Sequence, residues 1–217
     1  MSDFLAAVYI GRFNGAFQKA HLANVLHVLH PKAGEPSVRY IVFLLGSAQE
    51  SLTYKNPMTF SERVKMIRSN FSEEDRFRLL FRPLNDTKSN DSWFLDARHQ
   101  VSIALETVGQ PIDEVAFYEK VPQIALIGVN KDESSWYLKG FPFWRTIGND
   151  KPFTDDSGKL ISATTVREAI FKTDDPQEGL ESVRYLLPEG TYSFLKEYIK
   201  SQHYSRIRWD VRNSSEG

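Results

Sequence analysis

The chain has 217 residues, 41% of them hydrophobic, with 27 basic side chains against 28 acidic ones and no cysteine. That length and apolar content suffice for a sizeable core, while the near-zero net charge argues against a broad nucleic-acid binder. The missing thiols exclude a disulfide framework, a cysteine nucleophile and a zinc–thiolate site.

No apolar run approaches a membrane span, and residues 1–8 lack the basic start of a secretory signal, so the cytoplasm is the expected location. Residues 6–10 then read as a short buried strand ending at Gly11, and residues 21–29 as a helix with Leu22, Val25, Leu26 and Leu29 on one side. A breaker-rich loop over 31–37 leads to a strong strand at 39–45, ending at Gly46. Thr59 and Glu62 have capping-box spacing ahead of Val64, Met66 and Ile67. Residues 77–84 read as a third strand, 93–107 as a helix, and 123–127 as a fourth strand ending at Gly128. A further helix spans 191–200, and the residues from 201 on read as a flexible tail. Strands alternating with helices predict an α/β fold with a parallel sheet flanked by helices, where ligands bind beyond the carboxyl ends of the strands.

The polar clusters fall at those ends. Gly11 lets backbone approach a ligand, and Arg12 after it suits a phosphate. His21, opening a helix, can donate to a phosphoryl oxygen, although such a histidine also fits a structural role. After the third strand come Asp86, Asn90 and Trp93. An aromatic plate beside an amide and a carboxylate suits a flat, amide-bearing ring; it equally suits a tryptophan anchoring a helix to the core. Ser162, Thr164 and Thr165 open a helix with Arg167 one turn on. Free N–H groups, hydroxyls and a guanidinium at a helix start make a triphosphate site, or an ordinary N-cap. There is no Walker A motif and no Gly-x-Gly-x-x-Gly fingerprint, which argues against a P-loop enzyme or a Rossmann dehydrogenase.

Five blocks in order resemble a known family: 9–13; 46–51 with 55–57 and 62–63; Asp86, Asn90 and Trp93; Gly128 with 131–132 and 134–138; and 161–164 through Arg167. They resemble the archaeal-type nicotinamide-nucleotide adenylyltransferases, most closely the N-terminal domain of bifunctional adenylyltransferase/Nudix hydrolases. The resemblance implies a Rossmann-like nucleotidyltransferase domain over 1–200, a tail over 201–217 and no Nudix domain. It implies AMP transfer from ATP to nicotinamide mononucleotide with Mg²⁺ carried on the phosphates, no dedicated protein metal site, and self-association into a homo-oligomer. A catalytically weakened nucleotide binder, or a transferase for another phosphorylated acceptor such as nicotinic acid mononucleotide, are the alternatives.

In the family's His-x-Gly-His motif, His21 matches the second histidine, while Gln18 and Ala20 stand at the first histidine and the glycine. By resemblance, His21, Arg12, Arg167 and Gln18 form the catalytic set. Gly11, Phe13, Gly128, Asn130, Ser162, Thr164 and Thr165 line the ATP path, and Asp86, Asn90 and Trp93 take the nicotinamide nucleotide.

Overall fold

The computed structural model describes residues 3–112, 123–128, 133–148 and 163–213. They group into two compact units, one comprising Met1–Gly11, Ala23–Ser47 and Ser72–Pro152, the other Arg12–Leu22, Ala48–Phe71 and Phe153–Gly217. The sequence reading treats residues 1–200 as one domain; the chain instead passes repeatedly between two units.

The first unit is organised by β1 (Phe4–Gly11), which is almost continuously buried. Its neighbours are β2 (Val38–Leu45) and β4 (Ile124–Ile127), with β3 (Leu79–Pro83) and β5 (Arg145–Ile147) outside them. The order is β3-β2-β1-β4-β5 and every pairing is parallel. Strands covered on both faces need apolar residues at every position rather than alternate ones. On one face Ala6, Val8 and Ile10 join Val42, Leu44, Leu126 and, from α4 (Asn90–Glu106), Ala97, Val101 and Leu105. On the other, Tyr9 lies 5.8 Å from Phe43, which stacks on Phe81 at 5.0 Å.

Register aligns the strand ends: Gly11 pairs with Leu45, Leu45 with Pro83, and Ile127 with Ile147. Chain order runs outward from β1 to β3 on one side and to β5 on the other. The carboxyl ends of β1 and β4 therefore flank a topological switch point, where such sheets leave a crevice.

The second unit contains α2 (Phe60–Arg68), α5 (Ala163–Lys172), α6 (Pro176–Ser182), α7 (Glu189–Tyr198) and α8 (Gln202–Asn213). The capping box before α2 forms as its spacing predicts, with Thr59 and Glu62 bonded reciprocally.

Three of the boundaries that differ from the sequence reading have a local physical cause. The third strand starts at Leu79, because Ser72 caps a short helix, α3 (Glu73–Arg76), and leaves Phe77 as its 73% exposed end. Ser89 caps Ser92 and starts α4 at Asn90 rather than Trp93. Over 202–213 the expected flexible tail is a helix: Tyr204 and Ile207 are buried, the Tyr204 hydroxyl donates to the Ile170 carbonyl, and Arg208 donates to the carbonyls of Thr173 and Asp174. Two apolar residues make too thin a stripe to read from sequence, and the arginines satisfy carbonyls at the end of α5. Among the described residues no helix is long and apolar enough to cross a membrane.

Candidate active site

In the sheet unit, the strand ends present a compact set of polar groups. The Gly46 N–H donates to the Gly11 carbonyl at 3.0 Å, and the Leu84 N–H to the Leu45 carbonyl at 3.0 Å. Ser47 follows in the left-handed region at φ 49° and is fully buried. A non-glycine residue there carries backbone strain, a state more often met at functional sites than elsewhere. Its hydroxyl donates to Asp86 Oδ2 at 2.6 Å, so one carboxylate oxygen is fixed while the residue stays exposed.

Asn90 is the first residue of α4, and Trp93 stands three residues on, which places both on one helix face. The Trp93 ring lies 5.5 Å from Phe94, 6.1 Å from Tyr137 and 6.5 Å from Phe141. It is half-buried, so it anchors α4 and also keeps ring surface open. The two sequence readings of Trp93 are thus compatible. Beside it, burial pushes the Tyr137 phenol up to about 12, keeping it neutral. Gly128 ends β4, where an added Cβ would meet Leu138 Cδ2 at 2.4 Å; close packing alone explains this glycine.

In the helical unit, residues 13–18 are all buried although they are a loop. Phe13 adopts φ 46°, and Gly15 passes so close to the start of α5 that a Cβ would lie 2.4 Å from the Ala163 carbonyl oxygen. Asn14 ties this loop to two other segments. Its Nδ2 donates to the Lys55 carbonyl at 2.7 Å and to Asn56 Oδ1 at 3.0 Å, while its Oδ1 accepts from Arg167 Nη1 at 3.1 Å.

Arg167 also donates from Nη2 to Thr164 Oγ1 at 3.0 Å and lies 5.9 Å from the Tyr54 ring centroid. It is only 9% exposed. Burial, with the nearby charge of Arg12 adding to it, holds its pKa below the usual guanidinium value. Arg63, fully buried, donates to the Arg12 carbonyl at 2.9 Å, and burial pushes its pKa down to about 10. The Arg12 backbone is therefore held while its side chain stays exposed.

His21 Nδ1 accepts the Gln18 backbone N–H at 3.1 Å, and its ring packs on Phe13 and Phe17 at 5.2 and 5.6 Å. With Nδ1 accepting, the neutral ring carries its proton on Nε2, which makes that nitrogen the donor. Gln18 is 3% exposed, so it sits inside the loop.

The structure thus gathers Phe13, Gln18, His21, Thr164, Thr165 and Arg167 in the helical unit, with Arg12 at its loop start. Gly11, Asp86, Asn90, Trp93 and Gly128 belong to the sheet unit. Asn130 and Ser162 lie outside the described residues. Sequence reasoning placed Ser47, Asn56 and Arg63 within blocks of the resemblance but gave none of them, nor Asn14, an individual role in the site. The Asn14-Gly15 pair is a turn signature that flags the bend, but nothing local reveals partners some 40 and 150 residues away.

No family model matches the chain. It is 34% identical over 212 residues to the nicotinamide/nicotinic acid mononucleotide adenylyltransferase of Acinetobacter baylyi, covering 98% of this chain and 96% of that protein. It is 28% identical over 211 residues to the nicotinamide-nucleotide adenylyltransferase of Sulfurisphaera tokodaii, covering 96% and 99%. Among solved structures, a bifunctional NMN adenylyltransferase/ADP ribose pyrophosphatase from Francisella tularensis, complexed with AMP and a manganese ion, superposes with a TM-score of 0.67 at 24% identity. That match covers 98% of this chain but 54% of the bifunctional one, so the chain spans about half its length. Identity over nearly the whole length of the Acinetobacter protein settles the family: the chain belongs to the nicotinamide/nicotinic acid mononucleotide adenylyltransferases.

Proposed function

We propose that this adenylyltransferase joins ATP to nicotinamide mononucleotide, giving NAD and pyrophosphate by direct in-line attack. The observation that carries this reading is Arg167: a buried guanidinium one turn into a helix, hydrogen-bonded to neutral acceptors. A cation held this way keeps its charge for an incoming anion, and the helix start adds N–H groups and a favourable dipole.

A 5′-phosphate oxygen of the mononucleotide attacks the α-phosphorus of ATP. The bond from that phosphorus to the bridging oxygen breaks, and pyrophosphate leaves with the electron pair. Arg12, Arg167 and the Nε2–H of His21, with the Thr164 and Thr165 hydroxyls, meet the negative charge that gathers on the leaving group. Gln18 contributes the backbone N–H that orients His21, a role that needs no charge at position 18. Gly11 and Phe13 supply close backbone approach. Mg²⁺ would be carried on phosphate oxygens and water rather than by a dedicated set of protein ligands. Bound there, the ion screens the triphosphate charge.

Asp86 supports the amide over the acid. A carboxylate can accept a hydrogen bond from a carboxamide NH₂, but it repels a pyridine carboxylate. Asn90 complements the carboxamide and Trp93 offers its face to the ring.

The test is pyrophosphate release from ATP and Mg²⁺ with nicotinamide mononucleotide, with nicotinic acid mononucleotide, and with neither. Acceptor-dependent release that yields NAD and favours the amide is expected, and Asp86→Asn should narrow the preference by about tenfold. Equal use of both acceptors would remove the role given to Asp86; binding without turnover would remove the catalytic reading.

A further inference from the structure

Asn14 sits in a polarity relay that ends on Arg167. Glu50 Oε2 accepts from Asn56 Nδ2 at 3.5 Å, Asn56 Oδ1 accepts from Asn14 Nδ2 at 3.0 Å, and Asn14 Oδ1 accepts from Arg167 Nη1 at 3.1 Å. Each amide orientation is forced. The Lys55 carbonyl can only accept, so the Asn14 nitrogen must face it at 2.7 Å, leaving the Asn14 oxygen for the guanidinium. The Glu50 carboxylate can only accept, so the Asn56 nitrogen faces Glu50 and its oxygen faces Asn14. Asn14 and Asn56 are 6% and 1% exposed, which makes these bonds strong and their loss costly.

We infer that Asn14 is a positioning residue that fixes the Arg167 guanidinium by an amide dipole, keeping the carboxylate of Glu50 two side chains away. A carboxylate in direct contact would hold the guanidinium equally well but would cancel the charge that a phosphate needs. The relay fixes the cation without neutralising it. Gly15 makes the geometry reachable, because only a residue without a Cβ lets this loop lie against the start of α5. This inference rests on the reading of Arg167 as a phosphate-binding residue.

The experiment compares Asn14→Asp, Asn14→Ala, Arg167→Ala and the Asn14→Ala/Arg167→Ala double variant. Readouts are KM for ATP, KM for nicotinamide mononucleotide, kcat, calorimetric affinity for ATP, and the thermal midpoint. Asn14→Asp keeps the shape but adds a charge and turns an oxygen toward the Lys55 carbonyl. It should weaken ATP at least tenfold while KM for the mononucleotide stays within about twofold. Asn14→Ala should weaken ATP about tenfold in the native background and less than twofold in the Arg167→Ala background. An effect of the same size in both backgrounds, or equal losses for the two substrates that track the thermal midpoint, would overturn the positioning role. Should Asn14→Asp fail to fold, the alanine cycle decides alone. Arg167→Ala leaving ATP affinity unchanged would instead overturn the reading of Arg167 on which the inference stands.

Discussion

The two units treat buried charge in opposite ways. In the sheet unit Asp75 is 5% exposed and faces a cation, Arg78 Nη1 at 3.8 Å, and a ring nitrogen, His30 Nε2 at 2.9 Å. Arg78 in turn donates to the carbonyls of Leu29, Val38 and Arg39, so this cation closes a gap between chain segments. In the helical unit Arg167 is nearly as buried, yet its acceptors are an amide and a hydroxyl. Burying a charge is costly, and proteins normally offset the cost with an opposite charge. A cation left with neutral acceptors is therefore a better candidate for function than one already neutralised.

Replacing each arginine should break the pair of cases apart. Arg167→Ala should lower kcat/KM for ATP by about 10²- to 10³-fold, the range expected for losing one transition-state donor. Its stability should fall only by the worth of the bond lost to buried Asn14, since the partners left behind are neutral. Arg78→Ala should do the reverse, costing about 2–3 kcal/mol in denaturant unfolding because the carbonyls of Leu29, Val38 and Arg39 lose this donor and Asp75 loses a nearby cation. Its steady-state constants should stay within about twofold of the parent. If the two variants lose activity and stability in the same proportion, buried-charge chemistry does not separate function from scaffold here.

A second contrast follows from the proposed roles of the two units. The sheet unit offers a flat surface at Trp93, held by Phe94, Tyr137 and Phe141. Trp93→Ala should raise KM for the mononucleotide about tenfold while leaving ATP nearly untouched, as one lost ring stack of about 1–2 kcal/mol implies. A matching rise in KM for ATP would mean that the ring supports the fold rather than the pyridine.

The same contrast explains what could be read from sequence. Parallel buried strands announce themselves as unbroken apolar runs, so β1 and β2 and their glycine ends were legible from residues alone. The capping box at Thr59 was legible because its partners lie within one turn. β5 is three residues long with one buried, which leaves no pattern to find. The residue types at the start of α5, hydroxyls followed by an arginine, were also legible, although they equally fit an ordinary N-cap. Their connections were not. Asn14 meets Asn56 and Arg167 across separations of 42 and 153 residues, and a polar contact of that reach has no periodicity. Arg63 is fully buried and donates to the Arg12 carbonyl, a partner 51 residues away that no local pattern shows.

The smallest expected effect concerns the acid limit of the helical unit. Burial alone would raise the Glu62 carboxyl, but hydrogen bonds from the Thr59 N–H and hydroxyl and from His203 outweigh it and hold the pKa below the ordinary 4.5. A folded-state pKa below the unfolded one stabilises the fold above pH 4.5, and that stability is lost as pH falls through the folded value. Stability measured by urea between pH 7 and 3 should therefore fall on the acid side with a share due to Glu62, and Glu62→Gln should remove that share. Thr59→Ala should cost about 1 kcal/mol near neutrality, the usual worth of an N-cap hydroxyl, without touching turnover. His203 ties the capping carboxylate to α8 at 2.9 Å, so the two changes also ask whether 202–213 is held through this corner. An acid limb of unchanged slope in Glu62→Gln would place the acid sensitivity elsewhere and reduce the His203 contact to a surface ion pair of little worth.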